Sequence, residues 1–150
     1  MTAIVVSVKQ VLDQKGYKTY SVRPDSSVFD ALALMAEHDI GGVLVIDHDQ
    51  LVGIFTERDY ARKIVLKGLS SRNVTVGELM TTKVQTITPS DQITSVMNTM
   101  TNKRFRHLPV VDDGKVIGII TIGDVVKAVM QEQEATIQHL ANYISGDIAT

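Results

Sequence analysis

The sequence of 150 residues contains no cysteine and no tryptophan, and aromatic residues make up only 5% of it. Without cysteine the chain can form neither disulfides nor thiolate metal sites, and it has no thiol nucleophile. The formal net charge of −2 lacks the basic excess that is typical of nucleic-acid-binding proteins. Apolar runs stay short of the roughly 18 residues of a membrane span, and the N-terminus lacks the pattern of a signal peptide. We therefore expect a cytoplasmic protein that binds neither nucleic acid nor a membrane.

What the sequence does contain is an internal repeat. Residues 24–59 and 89–124 align without a gap at an offset of 65 residues, and they share eight identities where about two are expected by chance. The identical pairs are Pro24/Pro89, Met35/Met100, Val45/Val110, Asp47/Asp112, Gly53/Gly118, Ile54/Ile119, Thr56/Thr121 and Asp59/Asp124. Upstream the offset becomes 68, because the first copy carries three extra residues near Gly16. Two copies in one small chain predict an internal pseudo-two-fold axis.

Hydrophobic periodicity predicts the order β-α-β-β-α in each copy. Apolar residues at helical spacing begin at Val28 and at Ile93, directly after residues that can cap a helix. Apolar runs at 43–46 and 108–111 are each followed by a polar turn and a second apolar run, which predicts two β-hairpins of buried strands. Short strands are expected before these helices, at 19–22 and 84–88.

Each copy closes with a second helix. We expect one from about Glu57 to Lys67, and its counterpart runs from about Ile122 into the C-terminal tail. The fold class is therefore α/β with mixed sheets, in which two pseudo-symmetric motifs pack as one module. The predicted bounds are 4–68 for the first motif, 72–131 for the second and 132–150 for a C-terminal helical tail.

Two strings of the repeat resemble a known family. Val-Gly-Ile-Phe-Thr-Glu-Arg-Asp (52–59) and Ile-Gly-Ile-Ile-Thr-Ile-Gly-Asp (117–124) each stand behind a hairpin and open a helix, as in cystathionine-β-synthase (CBS) domains. Arg-His-Leu-Pro-Val-Val-Asp (106–112) is a second hallmark of that family. The resemblance covers roughly residues 4 to 130. It implies a paired (Bateman) module with two clefts that bind adenosyl ligands such as AMP, ATP, NAD or S-adenosylmethionine, and it implies a homodimer.

The Thr-x-x-Asp pattern at the start of the second helix of each motif is open to two interpretations. The carboxylates of Asp59 and Asp124 could accept hydrogen bonds from the vicinal hydroxyls of a ribose, beside helix amides that attract phosphate. The same pattern is also a capping-box variant, in which Thr56 and Thr121 share the helix amides with the carboxylates. The resemblance favours ribose binding by both aspartates, with capping as a second role of the threonines.

The basic residues are distributed unequally between the two copies. Arg106 and His107 are predicted to contact phosphate, although a solvated helix end is the alternative interpretation. Their counterparts in the first copy are Gly41 and Gly42. Arg58 partly offsets this difference, because its own counterpart is a glycine. We therefore expect Arg58 to contact phosphate beside Asp59 and the two clefts to differ in affinity.

Four further residues are predicted to surround the adenine base. Pro109 removes an amide and leaves strand carbonyls for the adenine amino group. Thr19, Tyr20 and Val84 lie on the strands that would flank the base, with structural packing as an equal alternative. No metal site is expected, because the remaining histidines are isolated in the sequence.

These observations predict a regulatory sensor without catalysis that binds AMP, ATP or NAD(H), in preference to S-adenosylmethionine or guanine nucleotides, and signals to a separate effector protein. Two alternatives stay open, namely a ligand-free dimerisation scaffold and a nucleotide-processing enzyme. The apolar stripe of Met130, Ile137 and Ile144 further predicts a homodimer to which residues 131–145 contribute.

Overall fold

The computed structural model describes residues 5–144, except that the side chains of residues 136, 137, 139, 140, 143 and 144 lie outside the description. Its elements in chain order are α1 Val8–Lys15, β1 Ser21–Val22, α2 Val28–His38, β2 Gly42–Asp47, β3 Gln50–Thr56, α3 Glu57–Tyr60, a π-helix Ala61–Val65, α4 Val76–Leu79, α5 Ile93–Lys103, β4 His107–Asp112, β5 Lys115–Thr121 and α6 Ile122–Ile144. The predicted α/β class is confirmed, and a helix, a hairpin and a second helix follow one another in both motifs.

The two hairpins follow the repeat closely. Strands β2 and β3 pair antiparallel, as do β4 and β5, and the register shifts after Val45 in one hairpin and after Val110 in the other. Both turns contain two residues with positive φ, namely His48 and Asp49 in the first and Asp113 and Gly114 in the second. Two consecutive residues of positive φ are the signature of a type I′ turn, whose twist suits a tight hairpin.

The strand predicted at 84–88 does not form as a strand, and this part of the prediction is wrong. In the first motif β1 runs parallel to β2, and the Leu44 amide donates to the Tyr20 carbonyl over 3.0 Å. The counterpart of Leu44 is Pro109, which has no amide proton to donate. Only a single bridge between Ile87 and Val110 remains in the second motif. The strand predicted at 19–22 is present but is limited to Ser21–Val22.

Two helices precede the motifs, and the sequence interpretation did not include them. Both α1 and α4 begin with a capping box, in which Ser7 pairs with Gln10 and Thr75 with Glu78. These Ser-x-x-Gln and Thr-x-x-Glu patterns were signals from which the helices could have been predicted. The predicted helix from Glu57 to Lys67 also differs, since it changes from α to π geometry after its first turn.

Each motif packs on the helix that precedes the other motif. Val8 and Leu12 of α1 are buried in the core of the second motif, whereas Val76 of α4 is buried in the core of the first. Backbone bonds fix this exchange, because the Val8 amide donates to the Asp91 carbonyl and the Val76 amide to that of Ser26, both over 2.8 Å. The predicted bounds of 4–68 and 72–131 therefore follow the sequence repeat, whereas each hydrophobic core also includes a helix from the other range.

The identical glycines of the repeat make this exchange possible. A β-carbon on Gly53 would lie 2.6 Å from Met80 Sδ and 2.9 Å from the carbonyl oxygen of Thr81. A β-carbon on Gly118 would lie 2.8 Å from a methyl group of Leu12. Both strands thus need glycine where the preceding segment of the other motif crosses them.

The last helix extends beyond the second motif. On its first turns Ile122, Val126 and Met130 recur every four residues and are 41%, 50% and 53% exposed. The remaining members of the predicted apolar stripe, Ile137 and Ile144, have side chains outside the described part of the chain. Among the described residues, no helix is both long enough and apolar enough to cross a membrane.

Candidate functional site

The two Thr-x-x-Asp patterns form capping boxes with nearly the same geometry. The Thr56 amide donates to Asp59 Oδ2 over 3.0 Å, and the Asp59 amide donates back to Thr56 Oγ1 over 3.2 Å. In the second motif the Thr121 amide donates to Asp124 Oδ2 over 2.8 Å, and the return bond to Thr121 Oγ1 measures 3.3 Å. Each aspartate therefore uses one oxygen, Oδ2, to begin its helix.

The other oxygen of Asp59 is committed to the protein. Its Oδ1 accepts from the Thr81 hydroxyl over 3.1 Å and pairs with Lys63 Nζ over 3.1 Å. The residue is 8% exposed and is the one charged residue in the core of the described chain. With both oxygens occupied, Asp59 has the surroundings of a structural carboxylate.

Asp124 occupies a different environment. Lys15, at the end of α1, donates from Nζ to Asp124 Oδ2 over 2.6 Å and to the Ile119 carbonyl over 2.9 Å. Among the described residues, Oδ1 of Asp124 has no hydrogen-bond partner. The side chain is 20% exposed, and its open oxygen is available to a ligand.

A cleft of about 530 Å³ surrounds Asp124. Six of the eleven predicted site residues line it: Thr19, Tyr20, Arg106, His107, Thr121 and Asp124. The volume falls within the usual range of about 300–1,000 Å³ for small-molecule sites. The cleft combines the carboxylates of Asp124 and Asp39 with apolar walls and with three cations, from Lys15, Lys18 and Arg106. A carboxylate facing several cations suits a ligand that has hydroxyl groups at one end and an anion at the other.

Five predicted residues do not line this cleft. Thr56 and Asp59 belong to the buried capping box of the first motif. Arg58 is directed elsewhere, since its Nη1 donates to the Arg104 carbonyl over 3.2 Å. The Pro109 carbonyl accepts from the Ile87 amide over 3.0 Å, so it is occupied within the protein. Val84 is half-buried outside the cleft.

The His107 ring lies on the backbone of Gly41 and Gly42. A β-carbon on Gly42 would stand 3.3 Å from His107 Cδ2, and one on Gly41 would stand 3.4 Å from Nε2. Burial lowers the pKa of His107, although the nearby Glu57 opposes this shift. The imidazole is therefore neutral near pH 7, with one nitrogen as a donor and the other as an acceptor.

Aromatic contacts shape the wall that Tyr20 provides. The Tyr20 ring stacks on His38 with centroids 3.9 Å apart and an angle of 22° between the planes. Lys18 Nζ lies 5.3 Å from the centroid of the Tyr20 ring, within the range of a cation–π contact. The prediction that Tyr20 flanks the base is compatible with this position, and His38 orients the ring.

The sequence interpretation missed two cations of the cleft, Lys15 and Lys18. Both belong to the segment near Gly16 in which the first copy has three residues more than the second. That insertion was the available signal, because extra residues next to a predicted site can supply side chains to it. Among the residues described, no group of His, Asp and Glu is arranged to hold a metal ion.

Comparison with known proteins gives the family. The model of the CBS domain matches the chain twice, at residues 8–66 and 76–131. A mitochondrial CBS-domain protein of Arabidopsis thaliana, CBSX3, is 42% identical over 127 residues, which cover 81% of this chain and 62% of that protein. The chain thus spans somewhat less than two thirds of this relative.

Solved structures agree in fold over most of the chain. A CBS-domain protein from Burkholderia ambifaria MC40-6, proposed to act in signal transduction, is 49% identical with a TM-score of 0.83, and the match covers 85% of this chain and 96% of that one. The CBS-domain pair of protein MJ0100, in complex with 5′-methylthioadenosine and S-adenosyl-L-methionine, is 27% identical with a TM-score of 0.76, covering 85% and 98%. The fold and the repeat define a tandem pair of CBS domains. The chain belongs to the CBS-domain family.

Proposed function

We propose that this CBS-domain pair binds an adenine nucleotide, AMP, ATP or NAD(H), in the cleft at Asp124 and does not alter it chemically. The observation that carries the proposal is the convergence of an open carboxylate oxygen, a stacked tyrosine and three cations in one cleft of about 530 Å³. Asp124 would accept from the ribose hydroxyls, while Arg106 and Lys18 would bind phosphate. Tyr20 and the apolar wall would contact the adenine ring.

The charge of the cleft favours nucleotides over S-adenosylmethionine. The adenosyl part is common to both, and a related CBS pair binds S-adenosyl-L-methionine and 5′-methylthioadenosine. The cations of Lys15, Lys18 and Arg106 outnumber the two carboxylates of the lining, so the cleft would attract a phosphate and repel a sulfonium. Each charge-assisted contact to phosphate contributes about 1.5–3 kcal/mol.

Calorimetric titration tests this proposal. The chain is titrated with AMP, ATP, NAD⁺, S-adenosylmethionine and GMP, and the ligands are recovered afterwards and analysed for conversion. We expect an adenine nucleotide to bind most tightly and to be recovered intact. Arg106→Ala should weaken the nucleotides by about tenfold or more, since it removes one phosphate contact. Tighter binding of GMP than of every adenine nucleotide would refute the assignment, and conversion of the nucleotide would indicate an enzyme.

The capping boxes support a second candidate function, a dimerisation scaffold without a ligand. Both Thr-Asp pairs have a structural role that needs no nucleotide. Thermal denaturation distinguishes the two candidates, because a ligand that binds only the native state must raise the Tm. A Tm that none of the five ligands changes at millimolar concentration would favour the scaffold.

We further propose that the chain forms a homodimer and reports its ligand to a separate effector protein. The exposed stripe of Ile122, Val126 and Met130 on α6 supports the homodimer. Such a row of apolar side chains on one helix face is unfavourable in water and is covered by association. Residues 131–144 continue the same helix, and residues 131–145 are proposed to extend this interface.

A further inference from the structure

The ammonium of Lys15 contacts the carboxylate of Asp124, the group that is proposed to bind the ribose. Oδ2 of Asp124 already accepts from the Thr121 amide, from the Thr121 hydroxyl and from Lys15 Nζ, over 2.8, 3.0 and 2.6 Å. A carboxylate oxygen has about two lone-pair sites, so Oδ2 is saturated while Oδ1 is open. A first ribose hydroxyl can donate to Oδ1 directly. A second can reach Oδ2 only by taking the place of Lys15, because the two bonds from Thr121 belong to the capping box that begins the helix.

Among the described residues, the segment that crosses the first motif contacts Asp59 through the Thr81 hydroxyl and not through a cation. The cation beside Asp59 is Lys63, which follows it by one turn on the same helical segment. The residue at the corresponding position of the second motif is Ala128, so α6 supplies no such charge. The charge comes instead from Lys15, at the point where α1 ends in a Gly16 turn with φ 106° and ψ 165°.

Once a ribose has displaced Lys15 from Asp124, the ammonium of Lys15 can still contact a ligand in the same cleft. Its side chain is 29% exposed and lines the same cleft as Lys18 and Arg106. Displacement by a nucleoside leaves the ammonium without its carboxylate partner. A nucleotide brings an anion into the same cleft, and the released ammonium can pair with that anion.

We propose that Lys15 is the residue that makes the cleft selective for nucleotides over nucleosides. This inference rests on the proposed function and deepens it. Lys15 competes with the ribose for Asp124, and only a ligand with phosphate compensates the loss of the ion pair between Lys15 and Asp124. Lys15 is therefore a specificity determinant, because it weakens the binding of nucleosides and strengthens the binding of nucleotides.

Titrations of AMP and adenosine into the wild-type chain and Lys15→Met test the inference. Methionine keeps the length of the side chain and removes its charge. Adenosine should bind about three- to tenfold more tightly to Lys15→Met, because its competitor is gone, whereas AMP should bind several-fold more weakly. The ratio of the two dissociation constants should thus fall by about tenfold or more. Adenosine affinity is read by competition with AMP where direct heats are small.

Lys9→Met is the matched control. Lys9 lies on the same helix and pairs with Asp13 over 2.9 Å at the surface. Its removal should change neither dissociation constant. Lys15→Gln serves as a second variant in case methionine perturbs the fold, and thermal denaturation checks both.

The possible outcomes separate the two proposals. A fall in the ratio for Lys15→Met or Lys15→Gln, with Lys9→Met unchanged, supports the inference. Equal weakening of both ligands, or an unchanged ratio of their dissociation constants, overturns the inference about Lys15. The proposed function still stands in that case, provided that the wild-type chain binds AMP. If the wild-type chain binds neither ligand, the proposed function fails and the inference fails with it.

Discussion

Asp59 and Asp124 occupy identical positions in the repeat, and we predict that replacing each by alanine has a different effect. Asp59→Ala removes four contacts, namely those to the Thr56 amide and hydroxyl, the Thr81 hydroxyl and Lys63. A helix cap contributes about 1 kcal/mol and a hydrogen bond to a buried charge about 1.5–3 kcal/mol. Since these terms overlap in one carboxylate, the free energy of unfolding should fall by about 2–4 kcal/mol.

Asp124→Ala removes the matching cap together with a partly exposed ion pair. An ion pair that water reaches contributes about 0–1 kcal/mol, so the total loss of stability should be about 1–2 kcal/mol. Its effect on ligand binding should be larger, because both oxygens that would receive the ribose are lost. We expect AMP affinity to fall by about tenfold or more in Asp124→Ala and to change by less than about threefold in Asp59→Ala.

Urea denaturation and calorimetry measure the two effects separately. The midpoint and slope of the urea transition give the loss of stability, and titration at a temperature where both variants are folded gives the affinity. If Asp59→Ala abolished a binding event while its unfolding free energy stayed within about 0.5 kcal/mol of the wild type, the argument from burial would be wrong. The first cleft would then hold a ribose, as the sequence interpretation predicts.

Three further predictions concern stability and assembly. Burial keeps the folded-state pKa of His107 below that of the unfolded chain, so the free energy of unfolding should fall as the pH is lowered from about 6.5. In urea denaturation at several pH values, His107→Gln should reduce this dependence on pH. Val126→Glu on the exposed face of α6 should shift the mass in light scattering toward the monomer, whereas Lys127→Glu should leave the mass unchanged. If both variants remain dimers, this face is not the dimer interface. In urea denaturation, Gly53→Ala should lower the free energy of unfolding by about 2–3 kcal/mol and Gly118→Ala by about 1–2 kcal/mol. The first loss is larger because only the methyl group at position 53 meets a backbone carbonyl, and the reverse order would contradict this geometry.

The parts of the fold that could be predicted from the sequence depend on short-range patterns. Helices α2 and α5 and both hairpins follow from periodicity and turn residues, and the structure has them at the predicted positions. The strand predicted at 84–88 is lost because its neighbour in space, β4, has Pro109 at the position of Leu44. Leu44 donates its amide to the strand before it in the first motif, and Pro109 has no amide proton to donate. Such a contact is visible only after the two segments are known to be neighbours.

The same limit applies to the candidate site. The repeat identified Asp124 and Thr121, and the family strings added Arg106 and His107. Lys15 is distant in sequence from all of them, and it reaches Asp124 only because α1 packs on the second motif. No periodicity within one copy reveals an exchange of helices between copies, so a site that lies between motifs is only partly visible in the sequence.

The packing next to the pseudo-two-fold axis differs between the two copies. His107 and Gly42 are counterparts at the offset of 65 residues, and they contact each other. Residues that are symmetry mates and in contact lie next to the axis, where two large side chains would need the same space. A histidine ring in one copy therefore favours a small residue in the other. The ring is held on the glycine backbone at the edge of the cleft that contains Asp124, and the copy that contributes the glycine has no equivalent donor. The nucleotide site that we propose on one side of the axis is compatible with this packing, and the carboxylate on the other side contacts Thr81 and Lys63.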